Sequence, residues 1–316
     1  ADLQSAVSKN CILRAADKSA RRDVTTKRSR NRVASSPAPC YRPFMSLKVL
    51  IVPDKFKGTL TAEAAAESIA KGWAEARPDD RLDLLPMSDG GDGFGEVLSK
   101  LLDVELRATP TMDAAHRPIS ARWWWEPGTR TAIVESAQVI GLALLPPGKY
   151  HPFELDTFGL GGVIQSAVQL GAQRFLIGIG GSATNDAGFG LARALGWTFL
   201  NERSEPIATW TQLACLKQIQ PPGGREDLAE AIVAVDVQNP LLGERGATRV
   251  YGPQKGIRPE DFAIAEGCLK RLAEVVEHDL HPSAASAPGV GAAGGLGYGL
   301  RCFMKAKLES GFSLFA

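Results

Sequence analysis

Apolar runs of strand length, each followed by a loop rich in glycine or aspartate, limit the folds open to this chain. The clearest are KVLIVPD at 48–54, RLDLLPM at 81–87 and RFLIGIGG at 174–181. Runs that are apolar at nearly every position are typical of parallel strands, because crossover helices bury both faces of such a sheet. Helical patterns follow the loops, so we expect an α/β protein.

Residues 104–137 show a different pattern, with short segments in which polar and apolar residues alternate. Alternation is typical of antiparallel strands, so we expect a mixed sheet. The triplet WWW at 123–125 lies in one of these segments. Neighbouring residues of a strand face opposite sides of a sheet, and we expect these rings to be core residues rather than a ligand platform.

Composition narrows the function classes. The chain has 316 residues, of which 44% are hydrophobic and 22% charged, enough for two α/β domains with real cores. No apolar run approaches the ~20 residues of a membrane span, so we expect no membrane partner. The five cysteines form no C-x-x-C pair, which disfavours a disulfide framework or a zinc site and favours a cytoplasmic location.

The charge is distributed unevenly. Residues 1–44 hold ten Lys and Arg against three Asp and Glu, a balance of +7, whereas residues 45–316 carry about −6. The segment 1–44 is rich in Ser and lacks apolar periodicity, so we expect it to be disordered. We favour a leader upstream of a native start at Met45 over a transit peptide. A nucleic-acid partner is disfavoured, because the rest of the chain shows no basic face with interleaved aromatics.

The loop GIGGSATNDAGFG at 178–190 carries the strongest functional signal. Gly180, Gly181 and Ser182 follow a buried strand and precede a helix, where backbone N–H groups and the helix dipole bind anions. Residues 178–183 also fit G-x-G-x-x-A, and Glu202 lies where a ribose-binding acid would be sought. A nicotinamide-dependent oxidoreductase is therefore one interpretation of this loop.

Asn185 and Asp186, in the same loop, favour a different interpretation. A carboxylate gains nothing beside a bare pyrophosphate, but it can bind Mg²⁺ together with phosphate oxygens, or orient a hydroxyl for phosphoryl transfer. The loop therefore predicts a site that binds metal–nucleotide or moves a phosphoryl group. The structural alternative is that Asp186 only caps a helix.

Further acids, amides and lysines stand at other predicted strand ends. They are Asp54, Lys55 and Lys57 in PDKFKG, Asp89 and Asp92 in SDGGDG, and Asp236 and Asn239 in VDVQNP; GPQKG adds Gln254 and Lys255 on a loop. Each cluster alone could be a solvated turn. Their shared position predicts one site at the carboxyl edge of a sheet. No G-x-x-x-x-G-K-[ST], H-R-D or D-F-G motif is present, which excludes ordinary P-loop and protein kinases.

With these residues assembled, the chain resembles the two-domain bacterial glycerate kinase family. The similar blocks are VPDKFKGTLTAEAAAESIAKGW, PMSDGGDGF, GIGGSATNDAGFG, VDVQNPLLGERGA, YGPQKG and GVGAAGGLGYGL, in family order from about 48 to 314. The resemblance implies ATP-dependent phosphorylation of glycerate, commonly to 2-phosphoglycerate, with Mg²⁺. The chain differs from the usual family sequence at Ala187, where the family has Gly, and at Gln238, where the family has Asp.

The resemblance also implies an architecture: two α/β domains with a cleft between them, the larger inserted into a smaller doubly wound, flavodoxin-like domain. We expect 45–97 to begin the smaller domain, 98–300 to form the larger one, and 301–316 to return toward the smaller. Family sequences continue beyond this point, so we expect the smaller domain to be incomplete. An inactive kinase fragment is therefore an alternative to an active enzyme.

The predicted roles divide the site into four groups. Catalytic roles fall to Asp186, Lys57 and Asp54, and substrate binding to Lys55, Asp89, Asp92, Asn239, Gln254 and Lys255. ATP is expected at Gly180, Gly181, Ser182 and Asn185, and Mg²⁺ at Asp186 and Asp236. Glycerate is the expected small-molecule partner, and a homodimer is one option for the assembly.

Overall fold

A computed structural model describes residues 45–56, 58–223, 230–280 and 284–315. The leader 1–44 and the predicted catalytic Lys57 lie outside these ranges. The strands are β1 (Lys48–Ile51), β2 (Arg81–Leu84), β3 (Glu105–Met112), β4 (Pro118–Glu126), β5 (Thr131–Glu135), β6 (Arg174–Gly178), β7 (Thr198–Asn201), β8 (Leu216–Gln220), β9 (Glu230–Ala234) and β10 (Lys307–Glu309). The helices are α1 (Ala62–Ala76), α2 (Phe94–Leu101), α3 (Ala137–Ile140), α4 (Phe158–Leu170), α5 (Phe189–Ala194), α6 (Ala247–Lys255), α7 (Phe262–Leu280), α8 (Ala292–Met304) and α9 (Gly311–Phe315).

A six-stranded mixed sheet organises the fold, with strand order β10-β9-β6-β5-β4-β3. Strands β10, β9, β6 and β5 pair in parallel, whereas β4 is antiparallel to both β5 and β3. Two smaller sheets accompany it, the parallel pair β1-β2 and the antiparallel pair β7-β8. The predicted α/β class, with an antiparallel section at 104–137, is confirmed.

The tryptophans of β4 show how the sheet is buried on both faces. Trp123 and Trp125 belong to one apolar cluster, and Trp124 belongs to another that includes Phe94 and Leu98 of α2. All three rings are less than 8% exposed. The prediction that WWW serves the core is confirmed, since alternate residues of the strand meet different helices.

Two segments near the predicted domain boundaries contact the six-stranded sheet. Phe94 and Leu98 pack against Trp124 and Ile133, so α2 covers one face of the six-stranded sheet. Strand β10 joins the edge of the same sheet through β9, so residues 307–309 extend the six-stranded sheet. Local patterns cannot show which sheet an amphipathic helix covers, because that depends on the partner surface.

The β1-β2 pair, with α1, is the part that stands apart from the main sheet. Its strands leave apolar side chains open: Leu50 is 42% exposed and Leu84 is 41% exposed. Trp73 on α1 is also 36% exposed. In the described part of the chain, no helix combines the length and the apolar character needed to cross a membrane.

Candidate active site

A cavity of about 380 Å³ lies at the carboxyl ends of the neighbouring parallel strands β6 and β9. Its walls come from the loops at 89–92, 179–182 and 234–237, the end of α6 and the start of α8. This is where open α/β sheets hold ligands, because strand ends leave a crevice between diverging loops. Many predicted site residues line it: Asp89, Asp92, Gly180, Gly181, Ser182, Asp236, Gln254 and Lys255.

Two glycine loops meet at the floor of this cavity. The N–H of Gly180 donates to the carbonyl of Gly90 at 2.9 Å. A Cβ on Gly180 would lie 2.5 Å from Cα of Gly91, and one on Gly181, whose φ is +76°, would lie 2.2 Å from Asp92 Oδ1. At Gly180 a side chain would overlap the backbone of the neighbouring loop, and at Gly181 the positive φ disfavours any residue with a Cβ.

That packing corrects part of the predicted anion cradle. The Gly180 amide is already used by the neighbouring loop and is not available to a phosphate. Gly181 and Ser182 keep their place in the cavity wall. The glycines of this motif therefore serve the approach of two backbones at least as much as the approach of a ligand.

A second, larger cavity of about 590 Å³ adjoins the first and shares Asp92 with it. Asp54 and Lys55 line this second cavity. Lys55 Nζ donates to the carbonyl of Asp92 at 2.7 Å, and the Asp54 carboxylate accepts from the N–H of Asp89 at 3.2 Å. The loops at 53–56 and 88–93 are therefore joined, and burial raises the pKa of Asp54.

The predicted catalytic and metal-binding Asp186 is in the interior, outside both cavity walls. Its side chain is fully buried and accepts hydrogen bonds from Thr157 N and Oγ1, Gly188 N and Gly190 N, at 2.7 to 3.3 Å. These donors begin α4 and α5, so the carboxylate holds the starts of two helices together. Asp186 here has the capping role that the sequence left open as the alternative, and we do not propose it as a catalytic or metal-binding group.

Two predicted amide ligands are also committed to the fold. Asn185 is fully buried and outside both cavity walls, and its Nδ2 donates to Thr248 Oγ1 at 3.0 Å. Asn239 Nδ2 donates to the Arg245 carbonyl at 2.8 Å, and its Oδ1 accepts from Tyr251 at 2.6 Å. Asn239 thus ties its own loop to α6 and is not in the cavity wall.

Lys255, the last residue of α6, is the buried cation of the site. It is 7% exposed, and its Nζ donates to Ser182 Oγ at 3.0 Å and to the Thr184 carbonyl at 2.6 Å. Burial lowers the pKa of Lys255 to about 7, against the opposing field of Asp186. A lysine in this setting is a candidate for contact with an anionic ligand.

Asp236 and Asp89 place carboxylates in the cavity wall from separate loops. Asp236 is exposed and its Oδ1 accepts from Ser310 Oγ and Gly311 N at 2.6 and 2.9 Å. Asp89 is also exposed, and its Oδ1 accepts from Gly91 N at 2.8 Å. Both are therefore held in position while still facing solvent at the cavity.

Comparison with known proteins identifies the family. A model of the glycerate kinase family matches residues 49–316. This chain belongs to the glycerate kinase family. It is similar to the glycerate kinase of Halalkalibacterium halodurans, with 38% identity over 84% of this chain and 71% of that protein. It is similar to the glycerate 2-kinase of Escherichia coli, with 35% identity over 85% of this chain and 71% of that protein.

A solved structure supports the same assignment at the level of the fold. The structure described as glycerate kinase 2 from Salmonella typhimurium LT2 superposes with a TM-score of 0.74 at 34% identity. The match covers 85% of this chain and 74% of that chain. The predicted family and α/β class are both confirmed.

One buried acid of this glycerate kinase family member was missed by the sequence analysis. Glu135 ends β5, is 1% exposed, and accepts from Gly93 N at 3.0 Å and Gly95 N at 3.2 Å. Burial raises the pKa of Glu135. The carboxylate fixes the start of α2, and with it the loop that carries Asp89 and Asp92, to the end of a main-sheet strand. A strand that ends in an acid, VE at 134–135, was the available signal.

Proposed function

We propose that this chain transfers the γ-phosphoryl group of ATP to a hydroxyl of glycerate and forms 2-phosphoglycerate. The observation that carries the proposal is the cavity at the ends of β6 and β9, where three loop carboxylates meet a buried lysine. Phosphoryl transfer needs positioning and charge neutralisation rather than covalent catalysis, and these groups can supply both.

Mg²⁺ fits the donor set without a preformed cage. Among the described residues, no three His, Cys, Asp or Glu side chains gather into a metal site. Mg²⁺ is commonly bound by one or two carboxylates together with phosphate oxygens, and Asp236 and Asp89 offer exposed oxygens at the cavity. We propose that these two carboxylates hold Mg²⁺, which would neutralise phosphate charge when bound.

The remaining roles follow from charge and position. Lys255 would contact an anionic oxygen of a ligand beside Gly181 and Ser182, and Gln254 would donate from its exposed amide. Lys55, which already holds the carbonyl of Asp92, would keep the 88–93 loop in place during binding. Asp54 and Lys57 are the proposed catalytic groups, and Asp54 would accept the proton of the glycerate hydroxyl.

The loop geometry disfavours an oxidoreductase. In the dinucleotide fingerprint the second glycine lets its backbone approach the pyrophosphate at the start of a helix. Here Gly180 approaches Gly91 instead, and α5 begins at Phe189, well beyond Ser182. The G-x-G-x-x-A letters therefore match without the structural context that gives the motif its meaning.

A coupled assay of ADP release by the chain, with D-glycerate as acceptor, tests the proposal. We expect ADP release only with glycerate and Mg²⁺ present, and ³¹P NMR should show a phosphate on the 2-hydroxyl. The D236N variant should lose roughly a hundredfold in kcat/KM, because a metal ligand contributes several kcal/mol. Asp83→Asn is the matched control, since Asp83 is an exposed acid on β2 outside the cavity walls.

Three results would count against the proposal. Failure of the folded chain to release ADP would favour the inactive-fragment alternative. Equal activity of the D236N and D83N variants would remove Asp236 from the site. A phosphate on the 3-hydroxyl would leave the kinase but overturn the proposed product.

A further inference from the structure

Lys255 is unusual because a charged side chain is rarely this deeply buried without an ionic partner. It closes α6 just before Gly256, whose φ of +100° ends the helix. The ammonium thus has a fixed direction at the inner wall of the smaller cavity. Burial lowers the pKa of Lys255 to about 7, so the uncharged amine and the ammonium are both populated near neutral pH.

The partners of Lys255 in the protein are neutral. Its Nζ donates to the Ser182 hydroxyl and the Thr184 carbonyl, and across the described ranges no carboxylate lies within 4.0 Å of it. An ammonium has three N–H groups, so two of them are accounted for by these two acceptors. A ligand oxygen is the kind of group that would complete the set.

The charged and titratable groups around Lys255 come from every loop of the cavity. Asp186 favours the ammonium through its field, but its oxygens accept hydrogen bonds from Thr157, Gly188 and Gly190. Asp89 and Asp92 face the cavity from one loop and Asp236 from another, and Tyr251 stands one turn back on α6. None of these acids forms an ion pair with Lys255 in the described structure.

We propose that Lys255 is the anion receptor of this cavity, and that an anionic oxygen ligand binds there together with a proton from solvent. The proton adds to the amine of Lys255, and the ammonium then pairs with the ligand. The identity of the anion rests on the proposed function: it is the glycerate carboxylate or a phosphate group of ATP. The proton coupling itself depends only on the buried lysine.

The size of the coupling follows from a pKa of about 7 for the free protein. If the bound anion keeps the ammonium charged, ligand binding should take up roughly half a proton at pH 7 and close to one proton at pH 8. The ligand affinity should then fall roughly tenfold for each pH unit above 7. Below about pH 6 the lysine is already charged, and both effects should disappear.

Calorimetric titration of the full chain at pH 6, 7 and 8, in buffers of different ionisation enthalpy, measures the protons taken up. The probes are D-glycerate alone, Mg²⁺–ATP alone, and sulfate, which stays a dianion throughout this range. The glycerate and ATP arms distinguish the two sources of the anion. Lys255→Arg is the matched variant, because arginine stays charged and should bind without proton uptake. Far-UV circular dichroism checks that this variant is folded.

Each outcome decides the inference or the function separately. Proton uptake with any probe in the wild type that disappears in the K255R variant supports the inference, and it does so even if no ADP is formed. If the K255R variant does not fold, the number of protons that the wild type takes up at pH 6, 7 and 8 decides whether the inference holds. Binding without proton uptake at pH 8 overturns the inference, even where ADP release shows that the proposed function is correct. An inability of all three probes to bind overturns it as well.

Discussion

Asp186 offers the sharpest test of how this fold is stabilised. Its carboxylate accepts four hydrogen bonds in a fully buried position, so it joins the starts of α4 and α5. Burial, and then the nearby charge of Asp156, raise the pKa of Asp186 to about 6 from 3.8. Asp186→Asn keeps the shape of the side chain but removes its titration.

The expected magnitude follows from linkage. Because the folded state holds this proton more tightly, the contribution of Asp186 to stability is fully present below pH 3.8 and is lost as pH rises through 6. About 1 kcal/mol of that change falls between pH 5 and pH 7. Relative to the asparagine variant, the wild type should therefore gain about 1 kcal/mol of unfolding free energy when pH falls from 7 to 5.

Two further effects change the unfolding free energy of the D186N variant, one at every pH and one mainly in acid. Asparagine has one acceptor oxygen and places an amide N–H against a backbone donor, which costs about 1–3 kcal/mol at every pH. Loss of the Asp186 charge also makes Lys255 harder to protonate, since that charge favours the ammonium. The variant should then lose more stability in acid, which adds to the same difference.

Urea unfolding followed by circular dichroism at pH 5, 6, 7 and 8 measures this difference. D83N, on the exposed Asp83, is the control and should run parallel to the wild type. Parallel curves for D186N and the wild type would refute the inferred desolvation of Asp186. We also expect kcat of the folded D186N variant at pH 7.5 to stay within roughly tenfold of the wild-type value. Loss of a catalytic carboxylate would lower kcat roughly a thousandfold. Such a loss without a stability change would return Asp186 to the catalytic set.

Other substitutions test the loop contacts. Gly180→Ala should destabilise the fold by about 1–3 kcal/mol, because the added Cβ overlaps Gly91, and should lower kcat/KM. Gly267→Ala on α7 is its control: nothing lies within 4 Å of the new Cβ, and urea unfolding should show a gain of about 0.5–1 kcal/mol. Glu135→Gln should cost about 1–3 kcal/mol, since the amide must face a backbone donor such as Gly93 N; an unchanged urea midpoint would contradict this role.

The sheet could be predicted because its signals are local. KVLIVPD and RFLIGIGG contain β1 and β6, and alternation at 104–137 marks the antiparallel strands β3 to β5. Each pattern depends only on which faces of its own strand are buried. Local patterns could not predict which sheet α2 and β10 would join. That choice depends on contacts of α2 with Trp124 and of β10 with β9, and these partners are distant in sequence.

The candidate site shows the same division between position and direction. Asp89 follows β2, Asp236 follows β9 and Lys255 ends α6, and the structure has all three at one cavity. Which way a side chain points depends on its hydrogen-bond partners. Asp186 accepts hydrogen bonds from the N–H groups of Gly188 and Gly190 and points inward, although the sequence predicts it to be a metal ligand.

The glycines of the 178–190 loop change where the anion affinity of the cavity must come from. If the Gly180 amide were open, a phosphate could be held by backbone dipoles that need no proton and vary little with pH. That amide donates to the carbonyl of Gly90 instead, and the buried lysine in the wall, Lys255, has a charge that depends on pH near neutrality. A site that relies on this lysine binds its anion most tightly when the lysine is protonated. The same close packing that commits the glycine amide to a loop contact thus makes ligand binding sensitive to pH.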